Sequence, residues 1–546
     1  MGGSEVSLYK SNGNSYRRFF KQVTGFEPYD WQVEVAEKLF GLEETGGILI
    51  LRAETGSGKT EASVLPGLFL GKQVIVVEPY RALIEDMVMR FKMYLVKLSK
   101  ILDVGYTLGV DYGGRHYIYE CIKNECGERT TMKPFGADVL VTTIDEMVYR
   151  ILSIGTPRKA SLYTSLVRSG RPVIFFDEAH SYTSEAFNPM VTLVHLTASL
   201  SMYTPVVIAT ATLPKSVEEH LEIVAKRNGV SLIKVSTPRR KKPPKALIEL
   251  DLRNFKDHEE LVGALVEHAD KYVSKGFRKI LVRVVTPETA YSVYTKLLKH
   301  ASQGYGVGVL HGRMPIYDRE KVYRAVKDDV SRDENVILVS TSVIEAGVDL
   351  DFDAGVLELT PYRSLEQTMG RVNRRYEKKN SEATIVNTSD STWEMLEELK
   401  YLEEVRKLLA ELGSGVEWDG DLSPKLKEID ERYTKDRLSV ANLVDAYNSS
   451  YSRILAVSLY SLFHLEGTFL EHLLALSKTE YETRGTLDIE VEVEDEPGNV
   501  LRIPYSIARK CGIEVAKKVP QKLLVDHSYV RNEKRIKARG LIPHEC

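Results

Sequence analysis

Residues 46–60 read GGILILRAETGSGKT, and this stretch decides the fold. Its first half is a short apolar run bounded by glycine, the pattern of a strand buried on both faces. Its second half, Ala53-Glu54-Thr55-Gly56-Ser57-Gly58-Lys59-Thr60, is a Gly-rich loop leading into a helix that begins near Lys59. A helix N-terminus presents unpaired backbone N–H groups and the positive end of a dipole to phosphate oxygens. Gly56 and Gly58 let the backbone wrap those oxygens without Cβ clashes, and Thr55 and Ser57 lie in the same loop. Lys59 reaches β- and γ-phosphates, and the Thr60 hydroxyl is a hard oxygen ligand suited to Mg²⁺. The strict form of the loop has Gly at position 53, where this chain has Ala. The expected cofactors are ATP and Mg²⁺.

Working outward, the runs KQVIVVE, ADVLVTT, PVIFFDE and PVVIAT follow, each rich in Val and Ile and each succeeded by a turn and a helical stretch. They predict a parallel α/β sheet ending near Val235. A second series, RKILVRVV, YGVGVLH, NVILVST, AGVLELT and EATIVNT, predicts a second α/β domain. Between the two lies the Pro-rich basic stretch STPRRKKPPKA, a natural linker. After residue 396 the pattern changes to helices such as EELKYLEEVRKLLAEL, then to the alternating TLDIEVEVED and VLRIPY around EPGN, a hairpin signal. The expected organisation is an extension over 1–24, domains over 25–236 and 247–395 joined by a linker at 237–246, and a smaller mixed, mainly helical domain over 396–546.

Two further motifs carry chemistry. Asp177-Glu178-Ala179-His180 ends the strand Val173–Phe176. Asp177 is placed to hold Mg²⁺, directly or through water, and Glu178 to align and deprotonate an attacking water. In the second domain, Gln367-Thr368-Met369-Gly370-Arg371-Val372-Asn373-Arg374 reads as a helix with Arg371 and Arg374 on one face. Guanidinium groups so placed can reach the γ-phosphate of a nucleotide held by the first domain, a contribution of about 10³–10⁵ in rate.

The order of these motifs resembles the superfamily 2 helicases with tandem RecA-like domains, over roughly residues 25–390. The resemblance implies that Gln32 reads the adenine. It implies that Pro79 to Leu83 (with Arg81), Thr142 and Thr143, and His311-Gly312-Arg313 grip a nucleic-acid backbone. Thr210-Ala211-Thr212 matches the block coupling hydrolysis to movement. Thr341 belongs to a block touching the strand, and Gly347 and Asp349 to its nucleotide side. Within the superfamily, Glu345 to Asp353 followed by the block at Gln367 looks like the CRISPR-associated helicases of type I interference. That resemblance implies 3′→5′ movement on single-stranded DNA, delivery of the strand to a nuclease, and a CRISPR RNA-guided target-recognition complex as partner. Many such proteins carry an HD nuclease domain, but none of the twelve histidines here is followed by Asp, so the expectation is a helicase-only chain with a separate HD nuclease subunit. The same engine would serve a superfamily 2 DNA-repair helicase or a DEAH-type RNA helicase, and a nucleotide-gated subunit without catalysis is the alternative from another class.

Composition narrows the setting. With 74 basic and 77 acidic side chains the formal net charge is −3, so nucleic-acid contact must come from a local cleft rather than a global field. No apolar run is long enough for a membrane span, and the polar N-terminus lacks the apolar middle of a signal peptide. Four cysteines in so long a chain point to a reducing, cytoplasmic setting. His116, Cys121 and Cys126 are expected to be unligated, with the cysteines free, because no second Cys pair lies nearby. The run Arg239 to Lys242 and the C-terminal basic stretch SYVRNEKRIKARG are expected to be solvated.

Overall fold

The computed structural model describes residues 13–53, 57–79, 81–112, 115–129, 136–144, 146–147, 172–179, 193–194, 196–198, 200–210, 213–237, 245–345, 350–374, 376–378, 380–388, 399–437, 488–496, 499–504, 511, 513, 518–532 and 534–542. The chain divides into two compact units, Met1–Arg240 with Thr434–Gly485, and Lys241–Tyr433 with Thr486–Cys546.

The first unit is built on nine strands: β1 Gly47–Arg52, β2 Val74–Glu78, β3 Tyr106–Tyr112, β4 Arg115–Ile122, β5 Glu125–Arg129, β6 Val139–Thr143, β7 Val173–Phe176, β8 Pro205–Thr210 and β9 Leu232–Ser236. Their order in the sheet is β5-β4-β3-β6-β2-β7-β8-β1-β9. The five runs expected to be strands form its centre and pair in parallel throughout. Their β-branched side chains are stiff at χ1 and pack well on both faces of a pleated surface, which is why these runs take no other form. β2, β6, β7 and β8 are buried along their whole length. The helix Gly13–Thr24 belongs to this core rather than extending from it, because Tyr16 packs edge-on against Phe20 and Phe69, and Phe19 edge-on against Phe69.

The second unit repeats the architecture with β10 Leu247–Asp251, β11 Lys279–Arg283, β12 Gly306–Leu310, β13 Val336–Ser340, β14 Ala354–Glu358 and β15 Glu382–Val386 in parallel. Short strands close its edges: β16 Val416–Glu417 beside β10, and β20 Tyr529–Arg531 with β21 Lys534–Ile536 beside β12. β17 Asp488–Glu492 and β18 Val500–Pro504 form the expected hairpin, and β19 Val525–Asp526 pairs with β22 Arg539–Gly540. Helix starts are legible locally: Thr286 caps the helix Pro287–Leu297 through the Thr289 N–H, with proline in the first turn.

The described residues after 396 pack mainly with the second unit. The helix Leu399–Leu412 buries Leu402, Val405 and Leu409 against the second unit's core, and the basic C-terminal stretch, expected to be solvated, is built into the sheet. Its cations find carboxylates: Arg531 meets Asp329 and Glu334, and Arg539 meets Asp318 and Glu496. The stretch from RLSVANLVDAY to HLLALSK, read as helical from sequence, lies beyond Arg437 outside the described residues, as do the linker residues Arg239 to Lys242. Among the described residues no helix is long and apolar enough to cross a membrane.

The cysteine expectation is corrected. β4 and β5 pair with Cys121 opposite Cys126, Cα atoms 4.0 Å apart, and the two form a disulfide. Cys511 is disulfide-bonded as well, and no described cysteine is free. A spacing of five residues reads as a hairpin pair once the intervening turn is known.

Tyr529 is the main anchor of the C-terminal stretch. Its ring lies where Cβ atoms on Gly306 and Gly308 would collide with it, and its hydroxyl donates to Asp329. Tyr529→Ala is expected to lower the unfolding free energy of the second unit by about 3 kcal/mol or more, read from urea denaturation.

Candidate ATP site and nucleic-acid grips

In a parallel sheet, the loops after the carboxyl ends of the strands converge. The first unit places the loop after β1 and the acids after β7 on either side of β8 in this way. Two strand spacings separate them, about 10 Å, which a lysine and a glutamate can span together. Lys59 Nζ lies 2.9 Å from Glu178 Oε1, and the Thr60 hydroxyl donates to Asp177 Oδ2 at 3.2 Å. Lys59 is only 4% exposed and Glu178 18%, so each charge depends on the other for compensation. The Glu178 N–H donates to Asp177 Oδ1, with Glu178 in the left-handed region at φ 43°. That strained backbone turns both carboxylates toward the loop.

Gln32 sits against the same loop. It accepts from the Tyr29 N–H through Oε1 and donates through Nε2 to the Gly58 carbonyl at 3.0 Å. These bonds use one of its two N–H donors and one of its two lone pairs, leaving a donor and an acceptor for a base edge. Gly58 caps the helix Lys59–Phe69 at φ 92°, and a Cβ there would stand 2.6 Å from Gln32 Nε2. Ser57 is half-buried beside it, while Thr55 and Gly56 lie outside the described residues.

The site's electrostatics are those of a charge trap. Burial, with Glu178 alongside, pushes Asp177 up to about 6, against the pull of Lys59. Glu78, which ends β2, is fully buried, and burial with Asp177 and Glu178 drives its carboxyl well above the ordinary range. Neither Glu78 oxygen has a hydrogen-bond partner among the described residues. Sequence reading began its block at Pro79 and missed this group, whose signal is a carboxylate closing an otherwise apolar strand. Excess buried carboxylate suits a divalent cation. Among the described residues no cluster of three or more His, Cys, Asp or Glu could hold a metal, so Mg²⁺ would rely on Asp177, Thr60 and oxygens from nucleotide and water.

In the second unit the block at Gln367 departs from expectation. The helix Tyr362–Met369 ends with Gly370 at its cap, so Arg371 and Arg374 lie beyond it and share no helix face. Backbone bonds from Phe352 N–H to the Arg371 carbonyl and from Asn373 N–H to the Phe352 carbonyl pull the chain into a bridge instead. Arg371 is buried, donating to the Ile344 and Glu345 carbonyls at 3.0 and 2.7 Å. It thereby holds the loop leading to Gly347 and Asp349, which themselves lie outside the described residues. Beside it, buried Arg283 pairs with Glu345 at 2.6 Å, a contact sequence reading did not find. Gln367 and Arg374 are half-buried, and the Arg374 N–H donates to Asp351.

The residues expected to grip nucleic acid are divided between the units. In the first, Pro79, Thr142 and Thr143 are buried at strand ends, and the Thr142 hydroxyl donates to the Asp111 carbonyl at 2.7 Å. Arg81 opens the helix Arg81–Leu102. Thr210 is buried at the end of β8, and Ala211 and Thr212 lie outside the described residues. In the second unit, Gly312 is exposed, Arg313 pairs with Glu288 at 2.5 Å, and Thr341 is buried ahead of the turn Ser342–Ile344. His311 is buried with its ring 4.7 Å from that of His527. The candidate zinc residues are not assembled: His116 pairs with Asp111, and the cysteines with each other.

Comparison with known proteins agrees with this layout. Residues 30–220 match the family of DEAD/DEAH box helicases, and residues 277–377 match the CRISPR-associated nuclease/helicase Cas3, C-terminal family. The CRISPR-associated helicase Cas3 of Thermoproteus tenax is 26% identical over 370 residues, covering 63% of this chain and 57% of that protein. Over these segments the chain resembles the DEAD/DEAH box helicases and Cas3. The CRISPR-associated nuclease/helicase Cas3 of Methanothermobacter thermautotrophicus is 25% identical over 400 residues, 69% of this chain and 44% of that one. The chain thus spans about half the length of the curated relatives it matches. The crystal structure of T. fusca Cas3-ATP shares the fold, with a TM-score of 0.63 at 17% identity over 95% of this chain and 70% of that one.

The buried imidazole pair gives this Cas3-like chain a pH dependence. Burial pushes His311 well down, with His527, Arg313 and Arg319 acting the same way. Burial takes His527 down to about 4, against weak opposition from the Val525 carbonyl and Asp526. Between that value and about 6.5 the unfolded segment binds more protons than the folded one, so stability rises with pH. Docking of residues 525–541 is expected to be complete above about pH 6.5 and to weaken as pH falls toward 4. Amide exchange, corrected for intrinsic rates, should show protection lost there at pH 5 while β8 keeps its own.

Proposed function

We propose that this chain is an ATP-driven translocase that moves 3′→5′ on single-stranded DNA in type I CRISPR interference, unwinding target DNA for a separate HD nuclease subunit. The observation that carries the reading is the convergence of Lys59, Thr60, Asp177 and Glu178 at the carboxyl ends of β1 and β7, in a chain resembling Cas3. In this reading the loop at 55–60 and the helix N-terminus cradle the phosphates. Lys59 exchanges Glu178 for a phosphate oxygen, and Glu178, released from its partner, orients and deprotonates water. Mg²⁺ held by Thr60 and Asp177 would neutralise charge developing on the phosphates. Gln32 joins base recognition to the loop through the Gly58 carbonyl.

The two arginines of the second unit divide their work. Arg374 is the residue offered to the γ-phosphate, while Arg371 holds the turn ahead of Gly347 and Asp349 through the Ile344 and Glu345 carbonyls. Pro79, Arg81, Thr142 and Thr143 in one unit, and His311 to Arg313 with Thr341 in the other, supply backbone grips that are blind to sequence. Thr210 to Thr212 transmit the nucleotide state to them. The proposed HD nuclease subunit, RNA-guided recognition complex and cytoplasmic location are supported by the likeness to Cas3.

Hydrolysis measured without nucleic acid, with single-stranded DNA and with single-stranded RNA tests the proposal. Lys59→Ala should lower turnover by about 10²-fold or more in every condition. DNA should stimulate the wild-type chain, and the stimulation should fade as salt rises from about 50 to 200 mM. Stimulation by RNA alone would transfer the assignment to an RNA helicase.

A further inference from the structure

The second unit's grip loop, His311-Gly312-Arg313, is not held by its own sheet alone. The C-terminal segment 525–541 runs beneath it. The Leu541 N–H donates to the Arg313 carbonyl at 2.9 Å, and the His527 ring lies against the His311 ring. Gly540 fills the remaining space: a Cβ there would stand 2.7 Å from His311 Cε1 and 2.7 Å from His527 Nε2. Gly540 has no positive φ, so the requirement for glycine is one of room and not of backbone conformation.

Ring orientation is set from both sides. The Arg313 N–H donates to His311 Nδ1, and His527 Nδ1 donates to the Val525 carbonyl, so each ring is a defined neutral tautomer. The segment is anchored independently of the loop, by Val530 opposite Val307 in the sheet, by Tyr529 on Gly306 and Gly308, and by Arg531 on Asp329. Arg531 and Arg539 are spent on attachments of this kind, to Asp329, Glu334, Asp318 and Glu496, while Arg535 pairs with Asp526 inside the segment. The basic run that invites a nucleic-acid reading instead clamps the segment to the unit.

We infer that the segment 525–541 is a positioning strap for the nucleic-acid grip, with Gly540 and His527 setting the shape in which Gly312 and Arg313 meet a phosphate backbone. The inference rests on the proposed reading of that loop as a grip. A shift of about 1 Å in such a contact costs far more than its distance suggests, so a methyl group placed between two rigid rings should be felt at the DNA and not at the nucleotide.

The experiment is ATP hydrolysis by the full chain against oligo(dT) concentration at several salt concentrations, for Gly540→Ala, Arg313→Ala and the double variant Gly540→Ala/His527→Ala. Gly540→Ala should raise the half-saturating oligo(dT) concentration about tenfold. It should also flatten the logarithmic salt slope by about 0.7, the loss of one phosphate contact, as Arg313→Ala does. Its DNA-free turnover and its KM for ATP should stay at wild-type values. Removing the His527 ring clears one of the two clashes and leaves space into which the His311 ring can yield, so the double variant should recover part of the DNA response. Wild-type DNA dependence in Gly540→Ala beside a weakened Arg313→Ala overturns the strap and leaves the grip standing. Loss of DNA-free turnover in Gly540→Ala, or no recovery in the double variant, overturns the strap as well, by making the effect one of folding. No effect of Arg313→Ala on DNA dependence overturns the grip reading itself.

Discussion

The ion pair between Lys59 and Glu178 is the interaction on which the first unit's chemistry depends. Both groups are largely withdrawn from water, and each stabilises the other's charge there. The fold exists, in effect, to bring them together: β8 separates β1 from β7, and only a parallel arrangement delivers the ends of all three to one edge. Thr60 with Asp177 makes a second, adjacent contact of the same kind. Both pairings are exchangeable, because a phosphate can replace Glu178 on Lys59 and a cation can replace the Thr60 proton on Asp177. Charges held by exchangeable partners are what a nucleotide-driven cycle requires, since binding then reorganises the site at little net electrostatic cost.

The second unit applies the same economy of buried charge to structure. Arg283 meets Glu345 inside the core, and Arg371 satisfies two carbonyls on the turn that precedes Gly347. Buried hydrogen bonds such as those of Arg371 to the Ile344 and Glu345 carbonyls restrict the turn at 342–345 to one arrangement. The C-terminal strap proposed for the His311 loop has its counterpart in the hold of Arg371 on the turn at 342–345. In each case the residues that touch a ligand in the proposed mechanism are shaped by others that do not.

Much of this was legible in the sequence. Ten short runs of Val and Ile appear as ten parallel strands, because a strand buried on both faces leaves an unmistakable apolar signal. The loop at 55–60 and the acids at 177–178 were readable because phosphate chemistry restricts residue type at fixed spacing. Elements at the sheet edges were not. β9 is half-exposed and mixes Lys234 with apolar residues, and β4 alternates in a way that also suits a metal-binding insertion. Arg371 and Arg374 were misread as a helix face because the pull of Phe352 on residues 371–373 comes from a strand register, which local spacing does not record. The basic tail was read as solvated for a similar reason, Asp329, the partner of Arg531, being 202 residues away along the chain.

The central claim is that Lys59 trades Glu178 for phosphate and that Glu178 then serves the water. Glu178→Gln separates the two roles in one variant, with ATP affinity measured by calorimetry beside turnover in the presence of single-stranded DNA. The account predicts that ATP binds at least as tightly as to the wild-type chain, because Lys59 no longer has to leave a carboxylate, while turnover falls by about 10²-fold or more. Weakened ATP binding with turnover retained would contradict it, placing Glu178 among the groups that merely hold the nucleotide.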